Sequence, residues 1–207
     1  MNTRGNVFLV DDDDALRRAT SRLLDACGFS VRGYASAEEF LAVFDPKRSG
    51  CLLLDLRMPG VSGLELQTLL QQRASSLPVV FLTGHGDVSA SVRAMKRGAV
   101  DFLEKPVCDE ELTAALDRAI ARDVATRRDE VDQSGLVQRH ASLTVREREV
   151  LVEIVAGKLN KQVAFALGIA ERTVKLHRSR VLEKMGAKSL ADLVRMAEKL
   201  GVGPKKP

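Results

Sequence analysis

Four consecutive aspartates, Asp11, Asp12, Asp13 and Asp14, follow an apolar run at 7–10, and a fifth, Asp55, follows another at 51–54. Thr83 and Gly84 close a third such run, and Lys105-Pro106 comes just after a fourth. Carboxylates crowded on one edge repel each other and raise their pKa values unless a cation neutralises them. A hard, oxygen-preferring ion such as Mg²⁺ is the usual answer. A divalent metal beside these side chains is therefore expected. Acidic residues after a strand can also be plain helix N-caps. That accounts for Asp13 or Asp14 but not for Asp55, which leads into Leu56-Arg57-Met58-Pro59-Gly60 rather than a helix.

The elements that must position these groups follow from periodicity. Apolar, β-rich runs recur at 7–10, 31–34, 51–54, 79–82 and 101–103, each separated by a stretch of helical period. Leu16, Thr20, Leu23, Leu24 and Cys27 line one helical face that Gly28 ends. Ser36 with Glu39 and Ser62 with Glu65 are spaced as capping boxes for the next two helices. Continuous apolar strands need cover on both faces, and short alternating units need right-handed crossovers. The expected fold is a doubly wound, five-stranded parallel α/β sheet. Ligands bind such sheets at the carboxyl ends of the strands. The carboxylates, the Thr83 hydroxyl and the Lys105 ammonium would converge on that rim.

The chain has 207 residues, 45% hydrophobic and 29% charged, which allows one large domain or two small ones and excludes collagenous, fibrous or disordered chains. No apolar run approaches the roughly 18 residues of a membrane span, and no signal peptide precedes the aspartates, so a cytoplasmic protein without membrane attachment is expected. Cys27, Cys51 and Cys108 are too few and too scattered for a disulfide framework or a zinc site. The net charge of +4 hides a division: residues 1–121 carry 14 Lys+Arg against 17 Asp+Glu, residues 122–207 carry 18 against 11. A basic module attached to a mildly acidic one is the electrostatic footprint of nucleic-acid binding, although a solvated basic surface would look the same.

Over 122–142 the apolar residues thin to Val124, Val131, Leu136 and Val137, and Ser134-Gly135 is expected to break any helix. The domains are thus 1–121, a linker at 122–139 and a second domain at 140–207. Asp123 with Arg127 and Arg128 with Asp132 are spaced i,i+4, which would extend the last helix of the first domain toward Asp132. Thr144 with Glu147 then forms a capping box, and Val150, Leu151, Ile154 and Val155 make a helical stripe closed by Gly157. Asn160 is expected to cap a short helix at 161–167 that Gly168 ends. A longer helix at 171–185 and a last one at 190–200 follow. Two helices joined by a tight glycine-containing turn, the second dense in Arg172, Lys175, His177, Arg178 and Arg180, are what an all-α, four-helix helix-turn-helix domain requires.

The series Val10-Asp11-Asp12, Leu54-Asp55-Leu56-Arg57-Met58-Pro59-Gly60, Leu82-Thr83-Gly84 and Glu104-Lys105-Pro106 resembles the receiver domain of bacterial response regulators over about 5–121. The resemblance implies a flavodoxin-like sheet and Asp55 as the acceptor of a phosphoryl group from a sensor histidine kinase. It implies Mg²⁺ held by Asp12, Asp55, the Arg57 main-chain carbonyl and, through water, Asp11. Thr83 and Lys105 would serve the reaction with Asp55, and movement of Thr83 would let Phe102 turn inward as a switch. A core role suits Phe102 as well. Arg57 and His85 would influence phosphoryl lifetime through access of water, and Lys105-Pro106 would be cis. These roles suit phosphoryl transfer, which is mostly positioning plus neutralisation of charge.

The string Leu143-Thr144-Val145-Arg146-Glu147-Arg148-Glu149-Val150-Leu151, with Gly157, Asn160-Lys161, Ala164, Leu167, Ile169 and Thr173-Val174-Lys175-Leu176-His177, is similar to the LuxR-type DNA-binding domain over about 140–201. With the 83–87 loop, the whole chain resembles the FixJ/NarL family of two-component response regulators, nearest the FixJ branch. By that resemblance Lys175, Leu176 and Ser179 face bases, while Arg172, Thr173, Arg178, Asn160 and Lys161 hold phosphates of promoter DNA. Phosphorylation would favour a homodimer, through the face of Val88, Val92 and Met95, with RNA polymerase as a further partner. The stripe Leu190, Leu193, Val194, Ala197 and Leu200 would form the DNA-bound dimer. Ala170, where the family carries serine or threonine, lacks a capping side chain. Two rivals are a regulator that works without phosphate and a Mg²⁺-dependent aspartyl-phosphate phosphatase. The second lacks its general acid, since Arg57 stands where that aspartate belongs.

Overall fold

A computed structural model describes residues 3–84 and 88–203 of the chain. His85, expected to govern phosphoryl lifetime, lies outside the described residues. The chain divides into two compact units, 1–127 and 128–207.

The first unit alternates strand and helix: β1 (Asn6–Val10), α1 (Asp14–Ala26), β2 (Ser30–Tyr34), α2 (Ala37–Ala42), β3 (Cys51–Leu54), α3 (Gly63–Gln72), β4 (Val79–Thr83), α4 (Val88–Lys96), β5 (Asp101–Glu104) and the start of α5 (Asp109–Ala141). The strands form one parallel sheet in the order β2-β1-β3-β4-β5, as expected of a doubly wound fold. Successive side chains of a strand point to opposite faces, and both faces are buried here. Val7, Leu9, Leu53 and Leu82 pack with Leu24 of α1 and Leu112, Leu116 and Ala119 of α5. Phe8, Val10, Leu52, Leu54 and Phe81 pack on the other face with Phe40 of α2, Leu66 of α3 and Ala94 of α4. Strand order reverses between β1 and β3, and the crevice outside that reversal is where such sheets bind ligands.

Capping explains the helix starts. Asp13 caps α1, its Oδ1 accepting from the N–H groups of Ala15 and Leu16 at 2.9 and 3.0 Å. Ser62 and Glu65 form the expected box. Ser36 caps α2, but the Glu39 carboxylate reaches back to the Ala35 N–H at 2.6 Å rather than to that of Ser36.

α5 differs from expectation, because it runs unbroken from Asp109 to Ala141 through the segment expected to be a flexible linker. Gly135 costs a helix about 1 kcal/mol, and packing outweighs it. Leu136 is buried in the core of the second unit, the Ser134 hydroxyl donates back to the Val131 carbonyl at 2.9 Å, and the Gln133 side chain donates to the Lys199 carbonyl at 3.2 Å. In the first unit the helix carries Asp123, fully buried and paired with Arg127 as the i,i+4 spacing suggested. Asp123 accepts from the Ser49 hydroxyl at 2.6 Å and the Gly50 N–H at 3.0 Å, and Arg127 donates to the carbonyls of Pro46, Lys47 and Arg48.

The second unit completes itself with α6 (Val145–Val155), α7 (Asn160–Leu167), α8 (Glu171–Met185) and α9 (Leu190–Lys199), around Leu143, Leu151, Val163, Val174, Val181 and Leu193. Gly168 joins α7 to α8 with φ +64°, a left-handed turn that glycine adopts without steric cost. Among the described residues no helix is long and apolar enough to cross a membrane.

Buried Glu147 closes the α6 capping box on Thr144 and accepts from Lys184 of α8 at 2.7 Å. The Lys184 hydrogen bond, then the Thr144 N–H, hold its carboxyl down at about 2 against the usual 4.5. A depressed acid stabilises the fold above its unfolded pKa and loses that contribution as pH falls through its folded one. Glu147→Gln is thus expected to cost the second unit about 1 to 2 kcal/mol at neutral pH. The gap to wild type should close between pH 4.5 and about 2 in urea titrations. A gap that stays constant over that range would show that the charge is idle.

Candidate functional site

The rim is assembled where β1, β3, β4 and β5 end. Asp11 follows β1 and is 3% exposed; its N–H donates to the Tyr34 carbonyl at 3.2 Å and its Oδ1 accepts from the Asp13 N–H at 2.9 Å. Asp12 is exposed and Asp55, after β3, is half-buried. The Asp55 N–H is tied to the Val10 carbonyl at 2.9 Å, which fixes the two strand ends side by side. Lys105 reaches across from β5, its Nζ donating to Asp11 Oδ2 at 2.8 Å and to Asp55 Oδ2 at 2.9 Å. Its peptide bond to Pro106 is cis.

One carboxylate oxygen from each of Asp11, Asp12 and Asp55 lies within 4.8 Å of the others. Burial raises the Asp11 pKa, with the nearby Asp55 charge adding to it, against the Lys105 hydrogen bond and charge that lower it. Burial alone would lower the Lys105 pKa, but its hydrogen bonds to Asp11 and Asp55 outweigh this, and the net shift is upward. One ammonium against three carboxylates leaves a negative site. All its donors are oxygens, which fits a hard divalent cation.

Thr83 ends β4 fully buried, and its carbonyl accepts from the Lys105 N–H at 2.8 Å. Phe102 pairs with Phe81 across β5 and β4 and is partly buried against the α2–α4 face, ring centroids 5.9 Å apart. Arg57 is exposed, and its N–H donates to Asp55 Oδ1 at 3.2 Å.

Two residues of this site escaped the sequence reading. Glu38 of α2 accepts from the Val61 N–H at 3.2 Å and so holds the loop after Asp55. Gly63 opens α3 so close to that loop that a Cβ there would meet the Asp55 carbonyl oxygen at 2.3 Å and Leu56 Cα at 3.1 Å. Both obstacles are backbone and cannot swing aside. Gly63→Ala is expected to displace the Asp55 turn and destabilise the first unit by about 1–3 kcal/mol in urea unfolding. Stability equal to wild type would show that the turn tolerates the shift. A glycine directly after a serine cap was the available signal.

The second candidate surface is α8 with the start of α7. Arg172, Lys175, Leu176 and Ser179 recur at i, i+3, i+4 and i+7 and all are exposed, while Val174, Val181 and Met185 on the opposite side are buried. Lys161 is exposed, and Thr173 and Arg178 are half-buried. Asn160 does not cap α7. Leu159 holds the cap position, its N–H satisfied by Gln162 Oε1 at 2.8 Å, and Asn160 as the first helical residue accepts from Arg178 Nη1 at 3.3 Å. Ala170 caps α8 with no side-chain hydrogen bond. The α9 stripe is largely consumed by the unit's own core: Leu193 and Ala197 are buried, Val194 and Leu200 half-buried, and Leu190 alone of the five is exposed.

Comparison with known proteins adds two family matches, "Response regulator receiver domain" over residues 7–117 and "Bacterial regulatory proteins, luxR family" over 141–197. Nodulation protein W of Bradyrhizobium diazoefficiens is 45% identical over 201 residues, 97% of this chain and 88% of that protein. Transcriptional regulatory protein FixJ of Rhizobium meliloti is 46% identical, covering 96% of this chain and 97% of its own. Among solved structures, the response regulator StyR superposes with a TM-score of 0.85 at 44% identity, covering 94% of this chain and 98% of that one. Full-length FixJ from B. japonicum gives 0.60 at 41% identity, covering 97% and 98%.

Proposed function

This chain belongs to the response regulators that join a receiver domain to a LuxR-type DNA-binding domain, and from that premise we propose how its residues carry out the work. It is a phosphorylation-dependent transcription regulator, with a histidine kinase upstream and DNA downstream. In the proposed account Asp55 accepts the phosphoryl group, and Asp11, Asp12, Asp55 and the Arg57 carbonyl hold Mg²⁺. The ion, when bound, neutralises charge on the transferred group. The observation that carries this reading is the Lys105 ammonium shared between Asp11 and Asp55 at 2.8 and 2.9 Å. It supplies the same neutralisation from the protein's side. Thr83 donates its hydroxyl to a phosphoryl oxygen, Phe102 follows that movement, and Arg57 with His85 limits entry of hydrolytic water. The chemistry is confined to the protein's own phosphorylation and dephosphorylation.

The readout is equally a proposal. Lys175, Leu176 and Ser179 face bases, and Arg172, Thr173, Arg178, Asn160 and Lys161 contact phosphates, the Asn160–Arg178 hydrogen bond supporting their common orientation. The receiver is 1–121 and the DNA-binding domain 140–207, residues 122–127 belonging to the first compact unit and 128–139 to the second. Val88, Val92 and Met95 of α4 are 77, 46 and 46% exposed, an apolar face suited to pairing two phosphorylated copies. The dimer would act in the cytoplasm, on promoter DNA and through RNA polymerase.

Gel filtration with light scattering tests this. A monomer that dimerises only with Mg²⁺ and beryllofluoride together is expected. A mass unchanged by the mimic would remove dimerisation from the scheme.

A further inference from the structure

Behind the acidic rim lies a cation that none of these roles uses. Arg17, in the first turn of α1, keeps only 16% of its side chain exposed. Its Nη1 donates to the Asp11 main-chain carbonyl at 2.7 Å and its Nη2 to Asp14 Oδ1 at 2.6 Å. The stem lies over Gly33 of β2, where an added Cβ would come within 3.3 Å of Arg17 Cγ and Cδ. Asp11 is thereby held at every polar group: N–H by Tyr34, Oδ1 by Asp13, Oδ2 by Lys105 and carbonyl by Arg17.

We infer that Arg17 is a positioning residue for the divalent ion, fixing the peptide that joins Asp11 to Asp12 and with it the aim of both carboxylates. This rests on the metal reading proposed above. Removing Arg17 has two opposed consequences. The Asp11 carbonyl loses its partner and the turn loosens, which weakens metal binding. A positive charge also departs, which would strengthen it. The first prevails, because the departing charge is paired with Asp14, a carboxylate shared with Arg18 and, at 58% exposure, screened by water. Groups that orient metal ligands through one hydrogen bond commonly change affinity by 10–100-fold when removed.

Calorimetric titration of the full chain with Mg²⁺ is the test. Arg17→Met, which keeps a stem over Gly33, is expected to bind Mg²⁺ about tenfold more weakly. Arg17→Lys, with one donor left for the Asp11 carbonyl, should recover part of the loss. Asp14→Asn leaves the Asp11 bond in place and should stay near the wild-type affinity. Should Arg17→Met not fold, Arg17→Leu, which also has no donor, is read the same way. Equal affinity in wild type and Arg17→Met overturns the inference while leaving the metal site standing. So does an Asp14→Asn variant as weak as Arg17→Met, since the Asp11 bond it retains would then not be what sets the affinity. A wild type that takes up no Mg²⁺ overturns both readings.

Discussion

Asp55→Asn is expected to abolish phosphoryl uptake and the gain in DNA affinity that goes with it, while leaving the fold intact. An amide oxygen is a poor nucleophile, and the substitution removes the Asp55 carboxylate that accepts from Lys105. The substitution also relieves crowding, because the Asp55 charge is one of the influences raising the Asp11 pKa. Without metal the variant should therefore melt no lower than wild type. With Mg²⁺ the two should separate: a ligand at 100 times its dissociation constant stabilises the native state by about 2.7 kcal/mol, and the variant, short of one carboxylate, should gain less. Intact mass after incubation with acetyl phosphate, melting with and without Mg²⁺, and promoter binding give three independent readouts. A variant that still gains one phosphoryl group places the acceptor elsewhere.

The largest stability effect is expected far from the chemistry, at Asp123. This carboxylate has no exposed surface and three donors: the Ser49 hydroxyl, the Gly50 N–H and the Arg127 Nε–H, which is shared between both its oxygens. Removing one member of a buried ion pair strands the other and costs about 3–5 kcal/mol. For a unit of this size that is a fall of roughly 10–20 °C in melting temperature. Asp123→Leu should show it, and Asp123→Leu with Arg127→Leu should be less damaged than the single variant, since no charge is then left unpaired. A double variant that falls by the sum of the two singles would mean that the pair is not coupled.

Much of this was legible in sequence. The five strands stood out because burial on both faces makes them continuous apolar runs, and the rim followed because ligand chemistry in such sheets gathers at strand ends. Asp13 was separable from Asp55 by what comes after each. What stayed hidden depends on contacts between distant parts of the chain. Nothing local says that Leu136 is needed by a core formed mostly by residues 143–193, so Ser134-Gly135 suggested a break that tertiary packing overrides. Asn160 is a strong capping type, yet its side chain accepts from Arg178, 18 residues on. The α9 stripe looked larger than one domain needs because its share of that domain's core could not be counted from periodicity alone.

The burial of Leu136 bears on how portable the second half of the chain is. Arg139 donates to the Met185 carbonyl at 3.2 Å, and Gln133 does the same for the end of α9, so the final turns of α5 are walls of the helical unit rather than its tether. The family match begins at 141, but the compact unit begins at 128. A fusion cut at the family boundary would transplant a hollow core, whereas one that opens with Arg128 carries the missing wall along. The piece of sequence that can be exchanged between regulators without repair is thus longer than the piece that reads DNA.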